Sequence, residues 1–182
     1  MMDNDADRTI PAPAQWVVRH GGMIRPGGTV LDVACGAGRH GRFFRSLGHP
    51  VVMLDRDITR VTDMASFDDV EIVARDLEGG RPWPLTGRQF AGVIVVNYLY
   101  RPILPALVAA VEPGGVLIYD TFAVGNEAYG HPTNPDYLLR REELLIAVRP
   151  ELVVMAYEDV EETDPRPAVR QRVMAVRPDG PI

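Results

Sequence analysis

The chain has 182 residues, the size of one domain, and its 46% hydrophobic and 24% charged content is ordinary for a globular protein. All 19 residues of the Lys and Arg class are Arg, which excludes Schiff-base and P-loop chemistry because both need a lysine amine. The one cysteine, Cys35, excludes an internal disulfide framework, and the His residues show no metal-ligand spacing. An acidic N-terminus and apolar runs far shorter than the ~20 residues of a membrane span favour a soluble, cytoplasmic protein.

Short β-branched runs alternate with segments of helical spacing, as in βαβ units of a parallel sheet. In chain order, a helical cap within residues 1–25 precedes strands at 29–33, 51–55, 70–75, 90–96, 116–122, 152–158 and 168–176. Helices are predicted at 39–47, 58–66, 102–111 and 138–148, and an irregular segment at 123–137, a lid or substrate loop, follows the fifth strand. The last two strands have no helix between them and predict an antiparallel hairpin. These patterns predict one doubly wound α/β domain over 1–182, with a mostly parallel seven-stranded sheet and helices on both faces.

Two runs predict details of this fold. Phe90–Val96 is so apolar that it belongs in the centre of the sheet, buried on both faces. His40, Phe43, Phe44 and Leu47 fall on one face of a helix, which favours packing over metal binding for His40.

The stretch VLDVACGAGRHG places Gly36, Gly38 and Gly41 in G-x-G-x-x-G spacing directly after a strand. Such a loop opens a helix N-terminus and accepts an anionic group. Asp32 lies inside the preceding strand, where its carboxylate repels a pyrophosphate and attracts a cationic ligand. The charge pattern therefore favours S-adenosylmethionine, which has an ammonium and a sulfonium group and no phosphate, over a dinucleotide.

Asp55 ends the second strand, 19 residues after Gly36, the position of an acid that accepts both ribose hydroxyl hydrogens. Either cofactor needs that contact, so Asp55 predicts a nucleoside without choosing between them. Asp57 is a rival for this role, although a cap of the next helix suits it better.

At these residues the sequence resembles the Rossmann-like class I S-adenosylmethionine-dependent methyltransferases. VLDVACGAG is similar to their first motif, and VVMLD, ARDLE, FAGVIVVN and EPGGVLIYD follow in the family's order. NYLYRPILPALVAAVEPGGVLIYDTF further resembles the bacterial tellurite-resistance methyltransferase group. Two positions depart from the family pattern: Ala34 replaces a usual Gly, tolerable at a strand end unless φ is positive, and Ala91 replaces a common Asp.

The resemblance implies roles for particular residues. Asp32 would serve the methionine ammonium, Asp55 the ribose and Asp76 with Leu77 the adenine edge, while Asn97 lies near the methionyl end. The cofactor-binding set is Asp32, Ala34, Cys35, Gly36, Gly38, Asp55, Arg56, Asp76, Leu77 and Asn97. The candidates for catalysis are Asn97, Tyr98 and Arg101, with packing or ion pairing as the alternative role of Tyr98 and Arg101.

Methyl transfer from a sulfonium needs alignment and exclusion of water more than a catalytic triad. We expect a small-molecule acceptor, with thiols and chalcogen compounds as candidates, because the acidic chain has no basic groove for nucleic acid and little chain beyond the core fold. A monomer or homodimer would suffice. Two alternatives stay open: an NAD(P)-linked oxidoreductase, and a non-catalytic cofactor-binding regulatory protein.

Overall fold

A computed structural model describes residues 9–164 and 166–180, and its seven-stranded sheet confirms the predicted fold class. The strand order is β3-β2-β1-β4-β5-β7-β6. The strands are β1 (Val30–Val33), β2 (Val51–Asp55), β3 (Val70–Ala74), β4 (Phe90–Val96), β5 (Val111–Phe122), β6 (Val153–Glu162) and β7 (Ala168–Val176). Strands β1 to β5 pair in parallel, and β7 runs antiparallel between β5 and β6. The C-terminal hairpin is therefore confirmed, as is the central, fully buried place of β4.

Helices cover both faces of the sheet because the strands alternate apolar side chains between the two faces. The α-helices are α1 (Gln15–His20), α2 (Arg39–Ser46), α3 (Leu104–Ala109) and α4 (Glu143–Val148), and 3₁₀ helices span Gly21–Met23, Thr59–Ser66, Arg101–Ile103, Asn126–Ala128 and Pro135–Tyr137. One core joins α1, α2 and the 59–66 helix to the sheet, and a second core joins α3 and α4 to the other face. None of the helices in the described part of the chain is long and apolar enough to cross a bilayer.

Three predicted element details are wrong. Leu47 follows the end of α2 and is 54% exposed, so it does not share the buried face of Phe44. The helix predicted over 138–148 begins only at Glu143, because Leu139 forms a bridge with Ala123 instead. Strand β5 begins at Val111, and its residues 112–115 bulge outward between two paired positions.

The segment before β1 packs beside the glycine loop. Trp16 Nε1 donates to the Val173 carbonyl at 3.3 Å, which fixes α1 against β7. His40 is 4% exposed and its Nε2 accepts the Ala14 N–H at 3.2 Å. Burial lowers the pKa of His40 to about 3, so the ring is neutral and serves as this acceptor. Residues 1–8 of the proposed cap lie outside the described residues, and α1 is shorter than predicted.

Candidate functional site

A cavity of about 460 Å³ lies where the strand order reverses between β1 and β4, at the carboxyl ends of the parallel strands. Ligands of open α/β sheets bind at this kind of edge, and the volume is within the roughly 300–1,000 Å³ of small-molecule sites. The fold brings together there the predicted site residues Ala34, Asp55, Arg56, Asp76, Leu77, Asn97 and Tyr98. Asp32, Cys35, Gly36, Gly38 and Arg101 lie outside the cavity wall.

The loop after β1 turns through three left-handed residues, Ala34, Gly36 and Gly38, with φ of 51°, 56° and 71°. A side chain at Gly38 would also lie 2.8 Å from Val61 Cγ1, so glycine is required there on two grounds. Alanine is expected to be tolerated at position 34 unless φ is positive there, and φ of Ala34 is positive. Ala34 therefore carries backbone strain, on the order of 1–2 kcal/mol for a left-handed residue with a Cβ.

The amide groups of all three motif glycines already have acceptors inside the protein. Gly36 N donates to Asp55 Oδ2 at 2.8 Å, Gly38 N to the Cys35 carbonyl at 2.8 Å, and Gly41 N to Asp32 Oδ2 at 2.8 Å. A phosphate cradle needs such N–H groups to point at the ligand. This loop directs them to carboxylates and a carbonyl of its own chain.

Asp32 lies beneath the loop instead of facing the cavity. The residue is only 1% exposed, and its carboxylate ties the Gly41 amide of α2 to β1. Burial raises the pKa of Asp32 to about 7, an effect opposed by the Gly41 N–H and by Arg39. Asp32 is not among the residues that line the 460 Å³ cavity.

Asp55 presents its carboxylate at the end of β2. Oδ2 accepts the Gly36 N–H, and Oδ1 accepts the Asp57 N–H at 3.0 Å. The carboxylate of Asp57 itself accepts the N–H and hydroxyl of Thr59 at 3.0 and 2.7 Å, while the N-cap residue of the 59–66 helix is Ile58. Of the two rivals, Asp55 lines the cavity.

Asp76 and Leu77 follow β3 and form the next part of the wall. Asp76 Oδ1 accepts the Glu78 N–H at 3.0 Å, and this turn fixes the direction of the carboxylate. The Leu77 side chain packs into the core at 6% exposure, which holds the segment against the sheet.

Asn97 directly follows β4 in a left-handed conformation, with φ of 57°. Its Oδ1 accepts from Arg170 Nη2 at 2.6 Å, and Arg170 Nε donates to Asp120 Oδ1 at 2.8 Å. Asp120 is 3% exposed and also accepts from Arg172 at 3.1 Å. This buried network fixes the Asn97 side chain. Sequence reasoning missed Arg170, for which the alternation of Arg170 and Arg172 along β7 was the available signal.

Tyr98 lines the cavity half-buried, with its carbonyl held by the Tyr119 hydroxyl at 2.9 Å. Burial raises the pKa of Tyr98, so the phenol stays protonated at neutral pH. Cys35 is buried at 6% exposure, and burial raises the pKa of its thiol too. Neither group is an ionised nucleophile.

Arg101 contacts the end of segment 123–137. It pairs with Glu143 through contacts of 2.6 and 3.0 Å, and its remaining donors hold the carbonyls of Asp136 and Leu138 at 2.8 Å each. The guanidinium thus fastens the end of segment 123–137 to α4. Pro132 and Tyr137 of that segment line the cavity opposite the strand ends.

Comparison with known proteins identifies the fold. No protein-family model matches the sequence, and no curated protein matches it either. Solved structures do match. TehB from Haemophilus influenzae superposes with a TM-score of 0.70 at 16% identity, covering 92% of this chain and 63% of TehB. This chain therefore spans less than two thirds of TehB.

Two further structures have the same fold. The 1,6-didemethyltoxoflavin-N1-methyltransferase of Burkholderia thailandensis, solved with S-adenosylhomocysteine, has a TM-score of 0.66 at 19% identity, covering 90% of this chain and 76% of that protein. The [4+2]-cyclase SpnF has a TM-score of 0.65 at 15% identity, covering 85% of this chain and 76% of SpnF. The chain therefore has the fold of the S-adenosylmethionine-dependent methyltransferases, including that of TehB.

Proposed function

We propose that this protein binds S-adenosylmethionine in the 460 Å³ cavity and transfers its methyl group to a small-molecule acceptor. The observation that supports the proposal most is the hydrogen bond from the Gly36 N–H to the Asp55 carboxylate, at 2.8 Å. An acid of this chain already occupies the donor that a pyrophosphate would need, and a phosphate brought there would meet a like charge.

The residues fit the nucleoside part of the cofactor. A carboxylate has about four acceptor positions, of which Asp55 uses two on backbone amides, so two remain for the hydroxyl groups of a ribose. Asp76 uses one oxygen on the Glu78 amide and has the other to accept from an exocyclic amino group. Arg56 and Leu77 complete this end of the wall.

The charges of the wall favour a ligand without phosphate. Three carboxyl groups (Asp55, Asp76, Glu78) and two guanidinium groups (Arg56, Arg75) line it. The strand order of the sheet also disfavours a dinucleotide. In this protein antiparallel β7 lies beside β5. In the dinucleotide-binding order 3-2-1-4-5-6, that place is taken by a further strand of the second nucleotide-binding half. These features disfavour the NAD(P)-linked oxidoreductase.

Bound S-adenosylmethionine supplies an activated methyl group on a positively charged sulfur. The chain's own contribution is to position and to exclude water. Asn97, fixed by Arg170, orients polar groups at the end of β4, and Tyr98 with Phe122 forms an apolar wall. Segment 123–137 acts as the lid, with Pro132 and Tyr137 over the cavity. The contacts of Arg101 support a role in holding this lid and not in contacting the reactants.

The test compares two ligands and one reaction. Calorimetric titration should give S-adenosylhomocysteine binding at least 10-fold tighter than NADH binding. Incubation with methyl-deuterated S-adenosylmethionine and a panel of thiol, selenol and amine acceptors should give a product of increased mass. Tighter binding of NADH would overturn the proposal in favour of the oxidoreductase. Tight S-adenosylhomocysteine binding without transfer to any acceptor would contradict the catalytic part and favour a regulatory protein.

A further inference from the structure

A second cavity, of about 310 Å³, adjoins the first, and Asn97 belongs to the walls of both. It lies between α1, the start of α2 and the strands β5 and β7. Under the proposed function, on which this inference rests, Asn97 marks the methionyl end of the cofactor. A molecule in the second cavity therefore approaches the methyl group from the side opposite the nucleoside.

Arg39 is a cation in this wall without a neutralising partner among the described residues. It is half-buried, and its one hydrogen bond within residues 9–164 and 166–180 is from Nη1 to the Ala12 carbonyl at 3.2 Å. No carboxylate of the described chain lies within ion-pair distance of it. Burial lowers the pKa of Arg39, the charges of Asp32 and Asp120 act to raise it, and the charge of Arg170 acts to lower it further.

Arg170 adds a second cation on the same side. Its Nε and Nη2 are engaged by Asp120 and Asn97, and Nη1 has no acceptor among the described residues. The other two guanidinium groups of the wall are neutralised: Arg172 pairs with Glu158 and Glu162 and shares Asp120 with Arg170, and the exposed Arg19 pairs with Glu158. The carboxyl groups of the wall are Asp120, Glu162 and the exposed Asp164.

We propose that the second cavity binds the methyl acceptor, and that Arg39 and Arg170 select acceptors bearing a carboxylate or another compact oxyanion. Guanidinium groups bind such anions through paired N–H donors, and a half-buried, unneutralised Arg gains more from this than an exposed one. Trp16, 3% exposed, gives the same cavity an apolar side for the remainder of the acceptor.

With a thiol acceptor, methyl transfer needs no oxidant or reductant. The thiol proton goes to solvent, the sulfur lone pair forms the new S–C bond, and the electron pair of the broken S–C bond stays on the cofactor sulfur. Both products are then uncharged at sulfur. The oxyanion of the acceptor takes no part in bond making and serves only to hold it.

Thiols of matched size test the selection. Mercaptoacetate is anionic, 2-mercaptoethanol neutral and cysteamine cationic. Trp16 and Trp83 are the two tryptophans, so in a Trp83→Phe background Trp16 reports on the cavity by fluorescence. With S-adenosylhomocysteine saturating, we expect mercaptoacetate to bind at least 10-fold tighter than 2-mercaptoethanol, and kcat/KM with S-adenosylmethionine to follow the same order.

Arg39→Gln should weaken mercaptoacetate binding about 10- to 100-fold, the usual loss for a hydrogen-bonded charged contact, and change 2-mercaptoethanol binding less than twofold. Arg45→Gln is the matched control, because Arg45 is on the same helix and pairs with Asp69 at 2.8 Å, away from both cavities. Equal binding of the three thiols, or an Arg39→Gln variant that loses S-adenosylhomocysteine instead of mercaptoacetate, would overturn this inference alone. Failure of the wild-type protein to bind S-adenosylhomocysteine would overturn the proposed function.

Discussion

Replacement of Asp55 by alanine should weaken binding of S-adenosylhomocysteine by about 30- to 150-fold. The two acceptor positions of Asp55 that the backbone leaves open would each take one ribose hydroxyl. A hydrogen bond to a charged group contributes about 1.5 kcal/mol, somewhat less at this partly exposed position, so two give about 2–3 kcal/mol. At 1.4 kcal/mol for each tenfold, that is the stated range.

Calorimetric titration checks this value, and a ligand change isolates its cause. The 2′-deoxy analogue of S-adenosylhomocysteine should bind the wild-type protein about 10-fold more weakly than S-adenosylhomocysteine itself does. The Asp55→Ala variant should bind the two compounds equally well. Asp57→Ala is the control, since that carboxylate accepts from Thr59, and the affinity of this variant for S-adenosylhomocysteine should stay within twofold of the wild-type value. The reasoning is refuted if Asp55→Ala binds normally, or if it remains as sensitive to loss of the 2′ hydroxyl as the wild-type protein.

Three further predictions concern the loop and the lid. Gly41→Ala places a Cβ 2.4 Å from Met53 Cε and should destabilise the fold by about 1–3 kcal/mol, whereas Gly22→Ala, with nothing within 4 Å, should cost less than 1 kcal/mol by urea unfolding. The pKa of Asp32 is raised to about 7, so the folded protein retains a proton that the unfolded chain releases, and stability falls as pH rises from about 4 to about 7. The free energy of unfolding of Asp32→Asn should equal that of the wild-type protein at pH 4 and exceed it at pH 8, by roughly 4 kcal/mol at most. If the variant's stability changed with pH as steeply as that of the wild-type protein, burial of Asp32 would not be the cause. Arg101→Gln should speed limited proteolysis within 123–137 and raise KM more than it lowers kcat, and a pure loss of kcat would instead indicate contact with the reactants.

The sheet and the placement of Asp55 and Asp76 in one cavity were predictable from the sequence because their signals are local. The unbroken apolar run of β4 has one stable place, in the middle of a parallel sheet. Parallel strands gather their carboxyl ends at one edge, so Asp55 and Asp76 had to lie near each other once their strands were assigned. The glycine spacing likewise predicted the turn, though not that its amides point inward.

The acceptor end was not predictable in this way. Arg172 contacts Asp120 only because β7 pairs with β5 in one particular register. The alternation of side chains along a strand does not determine that register, because a shift of two residues leaves the same side chains on the same face. Arg170 reaches Asn97 across 73 residues of chain. Arg101 was expected near the reactants from its position after β4, and its contacts with Glu143 depend on where α4 packs.

A crystal structure with S-adenosylhomocysteine tests the proposed cofactor site most directly. We expect both ribose hydroxyls within hydrogen-bond distance of Asp55 and the sulfur beside Asn97, between the two cavities. A nucleoside bound elsewhere, or a sulfur facing away from Asn97, would contradict it.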